Sequence, residues 1–151
     1  MKAVLQRVTN ASVKVDGKIV GEIGKGFLVL LGAGYGDTEK DCEKLADKIS
    51  KIRLFEDGDG KMNLGAGDID GEVLVISQFT LYADSRKGNR PNFMNAMEPK
   101  EAERLYEYFV SLLDGKFTKI QKGIFGADMK VELLNDGPVT IILETKDGNI
   151  L

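Results

Sequence analysis

The sequence predicts a single α+β domain, residues 1–151, in which a curved, mainly antiparallel, barrel-like β-sheet carries two packed helices. Three observations lead there. The 151 residues, 42% hydrophobic and 30% charged, suit one core rather than two. Runs with strand character outnumber amphipathic helical stretches. Eighteen glycines against three prolines signal tight turns rather than a disordered chain.

Taken in chain order, Met1-Lys2-Ala3-Val4-Leu5-Gln6-Arg7 reads as a strand with a polar break and not as a signal peptide. Residues 12–20 hold two β-rich runs around Asp16-Gly17, a pair that tolerates the positive φ angles of a type I′ hairpin. Gly24-Lys25-Gly26 makes another turn, and Phe27-Leu28-Val29-Leu30-Leu31 suits a central strand buried on both faces. The first thirty residues therefore form a β-meander.

Thr38 with Asp41 three residues later resembles a helix-opening box. Cys42, Leu45, Ala46 and Ile49 continue at helical spacing, predicting a helix over 38–50. The second helix opens at Pro99, carries Glu101 and Glu103 in its first turns, and presents Leu105, Tyr106, Phe109, Leu112 and Leu113 before Gly115. Between the helices lie a Gly/Asp-rich stretch (57–71), a strand over 73–78 and a polar basic loop over 84–95. Further β-like runs fall at 117–122, 129–134 and 139–144, with Asn135-Asp136-Gly137-Pro138 read as the turn between the last two.

Composition narrows the chemistry. No histidine is present, which removes every Ser-His-Asp or Cys-His catalyst and every imidazole zinc site. Cys42 is a lone cysteine and no apolar run approaches the ~18 residues of a membrane span, so a cytoplasmic protein with no membrane partner is expected. A net charge of -3 gives no bulk attraction to phosphate backbones, and no DNA partner is expected. The acidic pairs Asp57 with Asp59 and Asp68 with Asp70 do not follow a calcium-loop pattern and read as solvated turns, so neither a metal nor a cofactor is expected. Gly32-Ala33-Gly34-Tyr35-Gly36 lacks both GxGxxG spacing and a GK[ST] ending, and reads as a turn into the first helix.

Three segments stand out as candidate sites. Ser77-Gln78-Phe79-Thr80 places two hydroxyls and an amide around an aromatic ring at the end of a buried strand. Alternatively those hydroxyls only satisfy backbone groups, and no GxSxG elbow or SxxK pair activates them. Asn135-Asp136-Gly137-Pro138 is, taken alone, a good turn. Arg86, Lys87 and Arg90 sit on one glycine-containing loop, either a solvated surface or the one local attractor for phosphate in an acidic chain.

Together these segments resemble the D-aminoacyl-tRNA deacylases, proofreading hydrolases that remove D-amino acids from mischarged tRNA. The resemblance runs from Met1 to about Thr145. Its two signature motifs are similar to Ser77-Gln78-Phe79-Thr80-Leu81 and Asn135-Asp136-Gly137-Pro138-Val139-Thr140. Gln6-Arg7-Val8, Arg53-Leu54-Phe55, Lys61-Met62-Asn63 and the stretch from Gly123 to Met129 support it. The resemblance implies a homodimer with a composite active site, in which a cis Gly137-Pro138 element of one subunit reaches into the pocket of the other. It further implies that Ser77, Gln78, Phe79 and Thr80 hold the aminoacyl end, and that Arg7 clamps the Asn135 to Pro138 loop. The carbonyls of that loop then capture the substrate amine and block an L side chain. The partner is the acceptor end of aminoacylated tRNA, with Arg86, Lys87 and Arg90 on its phosphates.

With no strong base in these motifs, ester hydrolysis is expected to rely on water attack, on oxyanion donors from backbone N–H groups near Phe79 and Thr80, and on a vicinal ribose hydroxyl of the substrate. Two other readings stay open at this point: a Thr80 or Ser77 acyl-enzyme, and a non-catalytic tRNA- or nucleotide-binding module using the basic loop.

Overall fold

In the computed structural model, which describes residues 1–151, strand β1 (Lys2–Val15) is the axis on which the sheet is built. Asp16 (φ 51°) and Gly17 (φ 78°) turn it into β2 (Lys18–Ile23), taking the positive angles that an Asp-Gly pair tolerates. β2 and then β3 (Gly26–Gly32) occupy one edge of β1 in succession, pairing with its second and first halves. The other edge is taken along nearly its whole length by β8 (Lys130–Lys146). β1 slips register against β8 on both sides of Val8, and such bulges bend a strand, so the sheet curls.

Helix α1 (Glu39–Lys51) carries the chain from β3 to a parallel partner, β6 (Glu72–Ser77), and α2 (Pro99–Leu112) carries it to a further parallel strand, β7 (Lys119–Lys122). The sheet is therefore mixed, in the order β7-β6-β3-β1-β8, with β9 (Asn149–Ile150) closing the edge. Its antiparallel part matches the expected meander. The parallel part follows from two helical crossovers on one face.

Both helices begin as their sequences dictate. The Asp41 carboxylate accepts the Thr38 N–H at 2.9 Å, and the Glu98 side chain accepts the Glu101 N–H at 2.7 Å one residue ahead of Pro99. Their apolar stripes (Leu45 and Ile49; Leu105 and Phe109) bury against Leu5, Phe27, Val29, Val73 and Val75. The alternate residues Leu28, Leu74 and Ile76 face the other way and meet Val8 and Val13 inside the curl. Two-sided burial makes β3 continuous apolar sequence, as expected.

Three expectations change. The segment over 135–140 is not a turn between two strands: β8 runs through it in one direction, and the chain bulges outward where Val8 pairs with Asn135 and Gln6 with Thr140. The second helix stops at Leu112, and Gly115 (φ 74°) lies in the following turn. The Gly/Asp-rich stretch contains a small hairpin, β4 (Phe55–Glu56) with β5 (Met62–Leu64), whose turn is organised by Asp57 accepting the N–H groups of Asp59 and Lys61 and the Asn63 amide.

Candidate active site

β6 ends at Ser77 beside Leu31, and the chain breaks from the sheet at Gln78 (φ -146°, ψ 77°) into a 3-10 turn, Phe79–Tyr82. The Gln78 N–H donates to the Leu31 carbonyl at 2.7 Å. A Cβ on Gly32 would lie 2.8 Å from the Gln78 carbonyl, so only glycine admits this approach. Entering a short helical turn leaves its first amides unpaired, and the N–H groups of Phe79 and Thr80 donate to no protein acceptor. The Gln78 amide donates to the Thr80 hydroxyl.

Ser77, Gln78 and Phe79 edge a cavity of about 290 Å³, whereas Thr80 is exposed and does not line it. Its walls come from Leu31 and Ala33 at the end of β3, Ala102 and Tyr106 of α2, and residues 125–129. The Tyr106 hydroxyl is committed to the Val75 carbonyl at 2.8 Å, and burial raises its phenol well above the usual value. Asp128 is the one carboxylate at the rim and pairs with Lys130 at 3.1 Å. No nucleophile here touches a base, since the Thr80 oxygen receives a hydrogen bond from an amide.

Arg7 and the protruding segment of β8 form a second cluster. Arg7 is 6% exposed. Its Nε donates to the Asp136 carbonyl at 2.9 Å and its Nη1 to the Leu54 carbonyl at 2.7 Å. Gly137 takes φ 130°, and a Cβ there would fall 2.9 Å from Val139 and 3.0 Å from Arg7, so the position demands glycine. The Gly137-Pro138 peptide is cis, and both residues are exposed, as is Asn135, whose side chain has no protein partner.

The structure does not bring these two clusters together. Arg7 is paired with Phe27 at the start of β3, whereas Ser77 is paired with Leu31 near its end. The β8 segment beside Arg7 lies four residues along the strand and three strand spacings across the sheet from Ser77, roughly 20 Å measured over the sheet surface. No residue of 135–140 lines the cavity.

The basic loop is the third cluster. Asp84 and Asn92 bridge its base, and Asp84 binds Arg86 through both carboxylate oxygens at 2.9 and 2.6 Å. That fork holds the Asp84 carboxyl down at about 2. Lys87 and Arg90 are exposed and form no ion pair. Of the cations singled out in the sequence, Arg86 is thus already partnered.

Sequence reasoning did not assign site roles to Met1, the end of β3, or the 125–129 wall. Each lines the cavity through its place in the fold, and only the family resemblance touched the last of them.

Comparison with known proteins places this arrangement. The family model described as D-Tyr-tRNA(Tyr) deacylase matches residues 4–144. The chain is 57% identical over 146 residues to the D-aminoacyl-tRNA deacylase of Caldicellulosiruptor saccharolyticus, covering 97% of this chain and 98% of the relative. To that of Thermotoga petrophila it is 57% identical over 145 residues, covering 96% and 97%. The solved structure of the c-Myc DNA unwinding element binding protein superposes with a TM-score of 0.91 at 46% identity, covering 97% of this chain and 99% of that one. A probable eukaryotic D-amino acid tRNA deacylase superposes at 0.79 and 14% identity, over 93% and 97%, a likeness of fold alone. Identity at this level over nearly the whole chain makes it a hydrolase acting on an ester bond. The chain belongs to the D-aminoacyl-tRNA deacylase family.

Proposed function

We propose that the active unit is a symmetric homodimer in which the Gly137-Pro138 loop of one copy completes the Ser77 to Thr80 pocket of the other. The observation that carries this is that no residue of 135–140 lines the cavity edged by Ser77, Gln78 and Phe79 of the same chain, so the loop can complete such a pocket only in a second copy. Uncovered apolar side chains on β8, Ile142 at 74% and Leu134 at 58% exposure, supply surface for such a contact.

In this reading the acceptor end of tRNA brings its aminoacyl ester over the turn. Water attacks the ester carbonyl, forming a new C–O bond. The Phe79 and Thr80 N–H groups receive the oxyanion, each worth roughly 3 kcal/mol. The intermediate collapses by breaking the bond to the ribose oxygen, and the vicinal ribose hydroxyl takes up one proton of the attacking water as it passes its own to that leaving oxygen, so the relay ends unchanged. The products are free D-amino acid and tRNA. Gln78 positions Thr80, and no acyl-enzyme forms because no base deprotonates either hydroxyl. Loop carbonyls fixed by Arg7 hold the substrate amine, while the loop occupies the direction of an L side chain. Glycine has nothing to reject, so glycyl-tRNA is a secondary substrate. Arg86, Lys87 and Arg90 meet phosphates of the acceptor end, and the enzyme works in the cytoplasm where charged tRNA is made.

The test is paired deacylation of D- and L-tyrosyl-tRNA, followed by subunit mixing. Equal D and L rates in the wild type remove chiral proofreading. A variant altered at 136–138 and a Gln78→Ala variant, each slowed on D-tyrosyl-tRNA alone, should recover about a quarter of wild-type D turnover when co-folded, because half the dimers then carry one intact site. No recovery removes the composite pocket.

A further inference from the structure

The α-amino group of Met1 is buried, and its residue forms part of the cavity wall. The ammonium donates to the Thr145 carbonyl at 2.6 Å and stands 2.7 Å from Oδ2 of Asp37, a carboxylate that is itself buried. That same oxygen accepts the Gly34 N–H at 2.6 Å and the Tyr82 hydroxyl at 3.2 Å. One carboxylate oxygen thus gathers donors from the N-terminus, from the exit of β3 and from the last residue of the 3-10 turn that follows Gln78.

Packing alone does not require the Tyr82 hydroxyl. Its ring is already seated on Gly34, where a Cβ would fall 2.3 Å from the ring, and Lys2 Nζ lies 4.8 Å from its centroid. A phenylalanine would fill the same space. What the hydroxyl adds is a fixed tether between the far end of the turn and an anion whose charge is held in place by the Met1 ammonium. The near end is tied by the Gln78 N–H to Leu31. Between these two anchors lie the free N–H groups of Phe79 and Thr80.

We propose that Asp37 is a positioning residue of the deacylase, and that the Met1 ammonium, Asp37 and Tyr82 act as one network that sets where the Phe79 and Thr80 N–H groups point. This rests on those amides being the oxyanion donors. Oxyanion donors act only when aimed, and a displacement of about 1 Å can cost on the order of 10² in rate.

The experiment compares wild type, Tyr82→Phe, Asp37→Asn and the double variant in steady-state deacylation of D-tyrosyl-tRNA, with thermal melting in parallel. Tyr82→Phe is expected to lower kcat by about tenfold or more, with KM changed less than about threefold and a melting midpoint within about 3 °C of wild type. A merely structural tether would move melting and leave kcat alone. Asp37→Asn should lower both, and the double variant should lose no more than Asp37→Asn, because both substitutions cut one network. Wild-type kcat in Tyr82→Phe overturns the proposal, and so do additive losses in the double variant. If Asp37→Asn does not fold, Tyr82→Phe alone decides. Absence of turnover in the wild type would instead strike the deacylase reading, so the two failures are distinguishable.

Discussion

Arg7→Lys is the most informative single change, because it keeps the charge and removes the fork. The guanidinium reaches two carbonyls on separate segments, Asp136 at 2.9 Å and Leu54 at 2.7 Å, while a lysine ammonium is a point donor that serves one of them. A hydrogen bond to a charged group in a buried setting is worth about 1.5–3 kcal/mol. At about 2–4 °C per kcal/mol for a chain of this size, the melting midpoint should fall by roughly 3 to 12 °C. If the lysine keeps Leu54, the Asp136 carbonyl is released and the Gly137-Pro138 loop loses its tether. Turnover of D-tyrosyl-tRNA should then drop by about 10 to 100-fold, while the slow L reaction, which makes no productive use of the loop, changes little. The D/L ratio of kcat/KM, measured below saturation on matched D- and L-tyrosyl-tRNA, should therefore fall at least about tenfold. A variant that melts lower and keeps its D/L ratio would make Arg7 a structural cation only and refute the clamp.

Turnover should survive exhaustive chelation, and Thr80→Ala should reduce kcat without abolishing it; activity restored only by added metal, or a trapped ester on Thr80 or Ser77, would contradict water attack in this pocket. Alanine at Lys87 or Arg90 should raise KM more than alanine at Arg86, whose guanidinium is occupied by Asp84, and the log–log salt slope of tRNA binding should be about two to three units. Equal KM values across the three variants, or an unchanged slope in the triple variant, would move the tRNA footprint elsewhere. Burial raises the Asp41 carboxyl, but the N–H groups of Gly148 and Thr38 outweigh it and leave the group below its ordinary 3.8. Its stabilisation is therefore complete above 3.8 and is lost as pH falls through the lower native value. Asp41→Asn should cost about 1–3 kcal/mol at neutral pH and flatten acid unfolding, and superimposable acid melts would refute the assignment.

Local chemistry wrote much of the fold into the sequence. Asp16-Gly17 fixed a hairpin because few residue pairs accept two positive φ angles, and Thr38 with Asp41 fixed a helix start because the carboxylate reaches back to the unpaired Thr38 N–H. Asn135-Asp136-Gly137-Pro138 misled for the same reason. Its residues favour a reversal locally, yet pairing of β8 with β1 on both sides of the bulge, together with the Arg7 contacts, carries the chain straight on. Tertiary context overrode turn propensity there. The edge of the cavity was legible where polar side chains interrupt an apolar strand, at Ser77 to Phe79, and the pairing of Met1 with Asp37 was not. No spacing or pattern announces that a carboxylate 36 residues downstream will meet the chain's own ammonium, since that contact exists only after β1 and β3 have paired.

In the proposed dimer, selectivity and assembly are one property. A protomer alone keeps its candidate oxyanion donors but presents its Arg7-held loop roughly 20 Å over the sheet surface from its own pocket, so it has the means to hydrolyse an ester and no means to tell its hand. It also leaves Ile142, Leu134 and Phe79 in water, which favours association. Chiral discrimination by exclusion suits this arrangement. A clash with a rigid loop can cost several kcal/mol whatever the side chain, whereas a pocket that recognised each side chain would gain only about 1–3 kcal/mol per methylene. A gate of this proposed kind, acting on the direction of the side chain and not on its chemistry, would let one loop serve every D-amino acid. The loop must therefore be stiff rather than complementary, which is what a buried arginine on the Asp136 carbonyl and a glycine that tolerates no Cβ provide.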